Sequence, residues 1–71
     1  MPTFKQFTNL EMAKSYAEYE STLVKDEINL IKSVHGGKTK YYVESEPVFL
    51  RNWETLLGTY KSGRYIKLNK Q

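Results

Sequence analysis

The sequence predicts a small α+β domain, a single layer of three or four mostly antiparallel strands with two helices on one face. Three observations carry this. Apolar residues recur at helical spacing in two segments, one after Phe7 and one after Pro47. Between them, two runs that alternate apolar and polar residues flank the pair Gly36-Gly37. Each helix has one apolar stripe and the paired strands have one apolar face, so all three can share a core. The 71 residues are read as one domain, 1–71, with no internal repeat, linker or low-complexity tract.

Taken in order, "TFKQF" near the start reads as a first strand. A helix from about Leu10 to Ser21 follows. Thr8 is expected to cap it, with Glu11 three residues on completing a capping box and Phe7 stapled to Met12. Met12, Ala13, Tyr16, Ala17, Tyr19 and Leu23 supply its apolar positions.

The period then changes to two. In "KDEINLIKSV" the apolar Ile28, Leu30 and Val34 alternate with polar residues, and in "KTKYYVES" Tyr41 and Val43 do the same. With Gly36-Gly37 as a two-residue turn, His35 faces Lys38, Val34 faces Thr39, Lys32 faces Tyr41, Leu30 faces Val43 and Ile28 faces Ser45. The other face then receives Ser33 with Lys40, Ile31 with Tyr42 and Asn29 with Glu44. A slip of one residue would turn every side chain over, so the agreement of both strands with one turn fixes the register.

Pro47 suits the first turn of a second helix, since its missing amide has no partner to lose there. Phe49, Trp53, Leu56, Leu57 and Tyr60 form its stripe, Arg51, Asn52, Glu54 and Thr55 lie outside it, and Gly58 shortens or ends it. Ser62-Gly63 makes a turn into a last strand, "RYIKL", with Ile66 and Leu68 inward. The order is (β)αββαβ, and it resembles the ferredoxin-like split βαβ arrangement.

Composition narrows the chemistry. There is no cysteine, which removes disulfides and cysteine-built zinc sites. No apolar run has membrane-spanning length and no charged-then-apolar leader opens the chain, so the expected setting is the cytoplasm, with no membrane partner. The net charge of +3 is uneven: residues 1–37 hold four lysines against five acids, and residues 38–71 hold seven basic residues against three acids. A basic C-terminal half permits an anionic partner.

Catalysis finds little footing. His35 is the only histidine and is expected to be solvated at a hairpin tip, without an acid to orient it as a base. "HGGK" joins two strands, whereas a phosphate loop must lead from a strand into a helix. Asp26, Glu27, Glu44 and Glu46 gather at the open end of the hairpin and read as solvated strand ends rather than a cation site. No enzyme activity and no cofactor are expected.

Binding fits better. Lys40, Tyr42, Tyr65 and Lys67 are expected on one exposed sheet face, an interleaving of cations and rings that suits single-stranded nucleic acid. The element order resembles the RNA recognition motif, which implies RNA binding on the sheet. Laid on that family's K/R-G-F/Y-G/A-F-V-x-F/Y signature, Lys38, Tyr42 and Val43 agree in type, while Thr39, Lys40, Tyr41 and Ser45 depart from it. The order also resembles the SPOR domain, a peptidoglycan-binding module, which would imply export.

The leading expectation is contact with another protein or with a second copy as a homodimer. Such a chain would serve as an accessory or regulatory factor of the kind phages and mobile elements carry. Arg51 and Arg64, the only arginines, and the tyrosines in excess of core needs, Tyr19, Tyr42 and Tyr65, are of the residue types that anchor interfaces. Lys40, Tyr42, Arg51, Arg64, Tyr65 and Lys67 are therefore the candidate contact residues, and Trp53 is expected in the core.

Overall fold

The computed structural model describes residues 4–45 and 49–66. They form β1 (Phe4–Phe7), α1 (Leu10–Leu23), β2 (Ile28–His35), β3 (Lys38–Glu44), β4 (Glu54–Lys61) and β5 (Arg64–Ile66). The strands make one five-stranded sheet in the order β1-β3-β2-β4-β5, every neighbouring pair antiparallel. The α+β class is as expected, but there is one helix among the described residues where two were expected, and five strands where three or four were.

α1 starts at Leu10 as the spacing predicts, but Asn9 caps it in place of Thr8. The backbone of Asn9 is extended and its Oδ1 accepts from the Met12 amide at 3.0 Å. This shift by one residue undoes the expected staple. Phe7 meets the ring of Tyr16, centroids 5.5 Å apart, and Met12 turns to solvent. At the other end the helix runs to Leu23, two residues beyond the expected stop, and the Val24 amide donates to the Glu20 carbonyl.

Small side chains set how closely α1 lies on the sheet. Ala13, Ala17 and Ser21, four residues apart, are fully buried and let the helix sit down on Ile28, Leu30, Val43 and Tyr60. Phe7, Leu10, Tyr16, Val24, Tyr41 and Leu57 close the margins. Ser21 also ties the helix to the far edge of the sheet. Its Oγ donates to the Glu18 carbonyl at 2.7 Å and accepts from the Gly63 amide at 2.8 Å.

The β2–β3 hairpin has the register the alternation predicts, from Asn29 opposite Glu44 to His35 opposite Lys38. Gly36 and Gly37 both have positive φ, 64° and 75°, the backbone of a type I′ turn. Ser62 and Gly63 repeat it between β4 and β5, with φ of 54° and 78°.

Residues 54–61 are strand β4, not the second half of a helix. The helical spacing of Leu56, Leu57 and Tyr60 has another cause. β4 pairs with β2 from Ser33–Glu54 to Ile31–Leu56, then shifts by one residue and resumes at Leu30–Gly58. Leu57 is the extra residue of a β-bulge. The bulge lets Leu56 point away from α1 while Leu57 and Tyr60 point toward it. Thr55 and Thr59 favour a strand, and Gly58 would cost a helix interior about 1 kcal/mol. β4 also satisfies the backbone of β2, which would otherwise be an open edge. Pro47, read as the helix start, and Leu68, read as inward, lie outside the described residues.

The topology explains where the connection from β3 to β4 runs. β1-α1-β2 is a split βαβ unit with β3 between its strands, as in the ferredoxin-like arrangement that the element order resembles. β3 and β4 are likewise parallel and separated by β2, but they point the other way. A right-handed crossover in the same lateral direction then passes over the opposite face of the sheet. Arg51 and Trp53 do line a hollow with Ser33, Lys40 and Tyr42 of that face. From here the face turned away from α1 is called the open face. The second half of the chain thus departs from the ferredoxin-like arrangement, adding β4 beside β2 with no second helix among the described residues.

Candidate binding site on the open face of the sheet

Strand pairing arranges the open face in rows. Phe4, Glu44, Asn29, Thr59 and Ile66 cross all five strands, and Gln6, Tyr42, Ile31 and Leu56 form the next row. Thr59 Oγ1 donates to Asn29 Oδ1 at 3.0 Å along the first row. Phe4 stacks on Tyr42 between the two, centroids 5.6 Å apart. Ile31 is only 1% exposed, flanked by Tyr42 and Leu56, so this face has an apolar centre of its own.

Toward the hairpin tip the surface becomes a hollow of about 470 Å³. It is lined by Ser33, His35, Gly36, Lys38, Lys40, Tyr42, Arg51, Trp53 and Glu54. The crossing connection returns to the tip here, where the Val34 amide donates to the Trp53 carbonyl at 2.9 Å. That bond delivers the indole of Trp53 onto the imidazole of His35, ring centroids 4.0 Å apart. A short turn locks the approach. The Arg51 amide donates to Glu54 Oε1 at 2.9 Å, and the Glu54 amide donates to the Arg51 carbonyl at 3.0 Å.

The electrostatics of the hollow are positive. Lys38, Lys40 and Arg51 line it, and its one acid, Glu54, is nearly buried and faces Arg51, Nη1 to Oε2 3.9 Å. The guanidinium carbon lies 5.9 Å from the centre of the Trp53 ring, a cation–π distance. Over the open face as described, Lys38, Lys40, Arg51, Lys61 and Arg64 outnumber the acids Glu44 and Glu54. Burial, and then the charge of Glu54, hold the Glu44 carboxyl above the usual range.

Three of the six candidate residues meet in this hollow: Lys40, Tyr42 and Arg51. Arg64 shares the open face but stands at its far edge, opposite Lys61. Tyr65 belongs to the other face. It lies opposite Tyr60 with the rings edge to face, and its hydroxyl donates to the Leu57 carbonyl at 3.1 Å. Lys67 lies outside the described residues. Trp53 is partly exposed in the hollow rather than in the core, and His35 is exposed at the tip as expected, with Trp53 against its ring.

His35, Lys38, Trp53 and Glu54 were not among the sequence candidates. The signal for Lys38 was present in the hairpin register, which puts it on the same face as Lys40. For Trp53 no signal existed without the crossover. No protein-family model matches the chain, and no match to it is found among curated proteins or solved structures.

Two other features bear on chemistry. Among the described residues no three or more His, Asp or Glu side chains are grouped to hold a metal ion, and Glu46, one of the acids expected at the hairpin's open end, lies outside them. No helix among them is long and apolar enough to cross a membrane. On the helix face, a cleft of about 580 Å³ runs between α1 and β4–β5, with Leu10, Leu30, Leu57, Tyr60 and Tyr65 along it and Lys14 and Glu18 at its rim.

Proposed function

We propose that the chain binds another protein through the open face of its sheet, acting in the cytoplasm as a non-catalytic accessory or regulatory factor. One observation carries this reading. The segment leading into the hollow displays Phe49, Leu50, Arg51 and Trp53 close together in the chain, with Phe49 90% exposed and Leu50 44%, and Arg51 and Trp53 lining the hollow itself. Aromatic residues and arginine are the types that dominate binding energy at interfaces. Covering a phenylalanine that exposed contributes about 1.5–3 kcal/mol, so it is a natural anchor. The basic residues around it select a partner with an acidic surface and speed its approach.

A photo-crosslinking residue in place of Phe49, introduced in the native cell, tests this. Covalent adducts with one protein species are expected, and they should weaken when Lys38 and Arg51 are changed to glutamate. Adducts to nucleic acid alone, or none, would overturn the reading.

A second reading, binding of single-stranded nucleic acid, is favoured by the convergence of Lys38, Lys40 and Arg51 with Tyr42 and Trp53 in one hollow. Trp53 is the only tryptophan, so its fluorescence reports on that hollow alone. Titration with single-stranded oligonucleotides should then show binding that weakens steeply with salt. No binding at low salt eliminates this alternative.

A further inference from the structure

α1 carries large apolar side chains on its outer side as well as on the side that serves the core, where Leu10 and Tyr16 pack. Its small residues Ala13, Ala17 and Ser21 face the sheet, while Met12, Tyr19 and Leu23 turn outward and remain 60%, 60% and 61% exposed. At spacings of seven and then four residues these three form a single stripe; Glu11, which pairs with Lys14 at 3.9 Å, and Glu18 lie to one side of it, toward the cleft beside β4–β5. An exposed apolar stripe of this kind marks a contact surface.

The charge around the stripe is opposite to that of the open face. Residues 10–27, the helix and the turn after it, hold five acids against two lysines. The open face holds the reverse, with exposed Phe4, Trp53 and Ile66 on it and exposed Phe49 and Leu50 in the segment that leads to it. The acidic, apolar-striped partner that the open face suits is thus present on the chain itself.

We infer that the open face of one copy docks on the outer side of α1 of a second copy. This rests on the open-face reading above and names its partner. The two surfaces lie on opposite sides of one sheet, so the contact is head to tail. Each pairing leaves one surface of each kind unused, and growth continues into an open chain or closes into a ring. Charge attraction between exposed groups is screened beyond about 10 Å at 0.1 M salt, so added salt shortens the assemblies.

Sedimentation velocity on the intact chain and two charge-reversed variants tests this. Wild type should gain mass with concentration and lose it with salt. Lys38→Glu with Arg64→Glu makes both surfaces acidic, and Glu11→Lys with Glu18→Lys makes both basic. Each variant alone should remain a monomer, with circular dichroism checking its fold. Mixed together they bring opposite charges to every contact between unlike copies, one in the native sense and one exchanged, so association should return. If a pair of changes unfolds the chain, the single changes Lys38→Glu and Glu18→Lys replace it.

A mixture that stays monomeric overturns the inference, as does a wild type that never associates. Continued pairing of the Glu11/Glu18 variant with itself would show an open face that meets its own copy, and also overturns it. The open-face reading is judged separately: adducts from position 49 to a different protein would preserve it when self-association fails.

Discussion

The ring of Tyr65 on the edge strand lies directly over Gly58 of its neighbour, so close that a Cβ on Gly58 would stand 2.8 Å from both Cζ and Oη of the tyrosine. The glycine follows the Leu57 bulge, and the ring covers the gap that its missing side chain leaves. β5 has only three residues, and this contact and the hydroxyl bond to the Leu57 carbonyl add to its pairing with β4. Gly58→Ala should therefore displace the ring and destabilise the domain by about 1–3 kcal/mol, the usual cost of overpacking. In Tyr65→Ala the same glycine change should cost far less. Urea denaturation of the two single variants and the double variant measures this coupling.

The stacking of Trp53 on His35 gives a second prediction. His35→Ala removes the surface on which the indole rests and should destabilise the domain by about 0.5–1.5 kcal/mol, the worth of a ring pair beyond burial. The single tryptophan should become more exposed, seen as a red-shifted emission. An unchanged spectrum would mean that the crossing connection holds Trp53 without the histidine.

A third prediction separates the two sides of α1. Ala17→Leu adds volume where the helix touches the sheet and should cost about 1–3 kcal/mol or prevent folding. Tyr19→Ser and Leu23→Ser change only the outer side and should leave stability within about 0.5 kcal/mol. Thermal melts distinguish the sets, and the outer variants should lose self-association while keeping their fold.

Glu44 supplies a pH dependence. Its carboxyl is raised in the folded state, by burial first and by the charge of Glu54 second. The folded chain thus holds this proton more tightly than the unfolded chain, and stability from this group falls as pH rises from the ordinary glutamate range through the raised folded value. Glu44→Gln should stabilise the domain at neutral pH and make no difference in acid, where Glu44 is protonated in both states. Melting temperatures of both proteins across this range check the sign. A variant less stable than wild type at neutral pH would contradict it.

Much of the first half of the fold is legible in the sequence. Gly36-Gly37 fixes the turn, and two alternating strands agree with it, so the outward positions of Lys40 and Tyr42 follow directly. The second half misleads for a definite reason. A bulged strand places Leu56, Leu57 and Tyr60 at intervals that imitate a helix, because the extra residue shifts the phase of alternation by one. Alternation through the bulge cannot be recognised until β2 is known to need a partner on its far side. The hollow inherits the difficulty. Lys38 and Lys40 follow from the hairpin, but Arg51 and Trp53 reach it only because the crossover brings the chain back to the tip. Tyr19 is legible as a surplus tyrosine available for contact, but Met12 and Leu23 beside it are read with the apolar stripe because spacing alone does not say which apolar residues face inward. The fully buried alanines decide that.

Docking of the open face on the outer side of a second copy's helix is read most directly from amide chemical shifts in a dilution series of the labelled chain. On concentration, the amides of residues 49–53, Lys38 and Ile66 should shift together with those of Met12, Tyr19 and Leu23, while Ile28, Leu30 and Val43 stay fixed. Shifts confined to one of these surfaces, or none on the open face at any concentration, would contradict it.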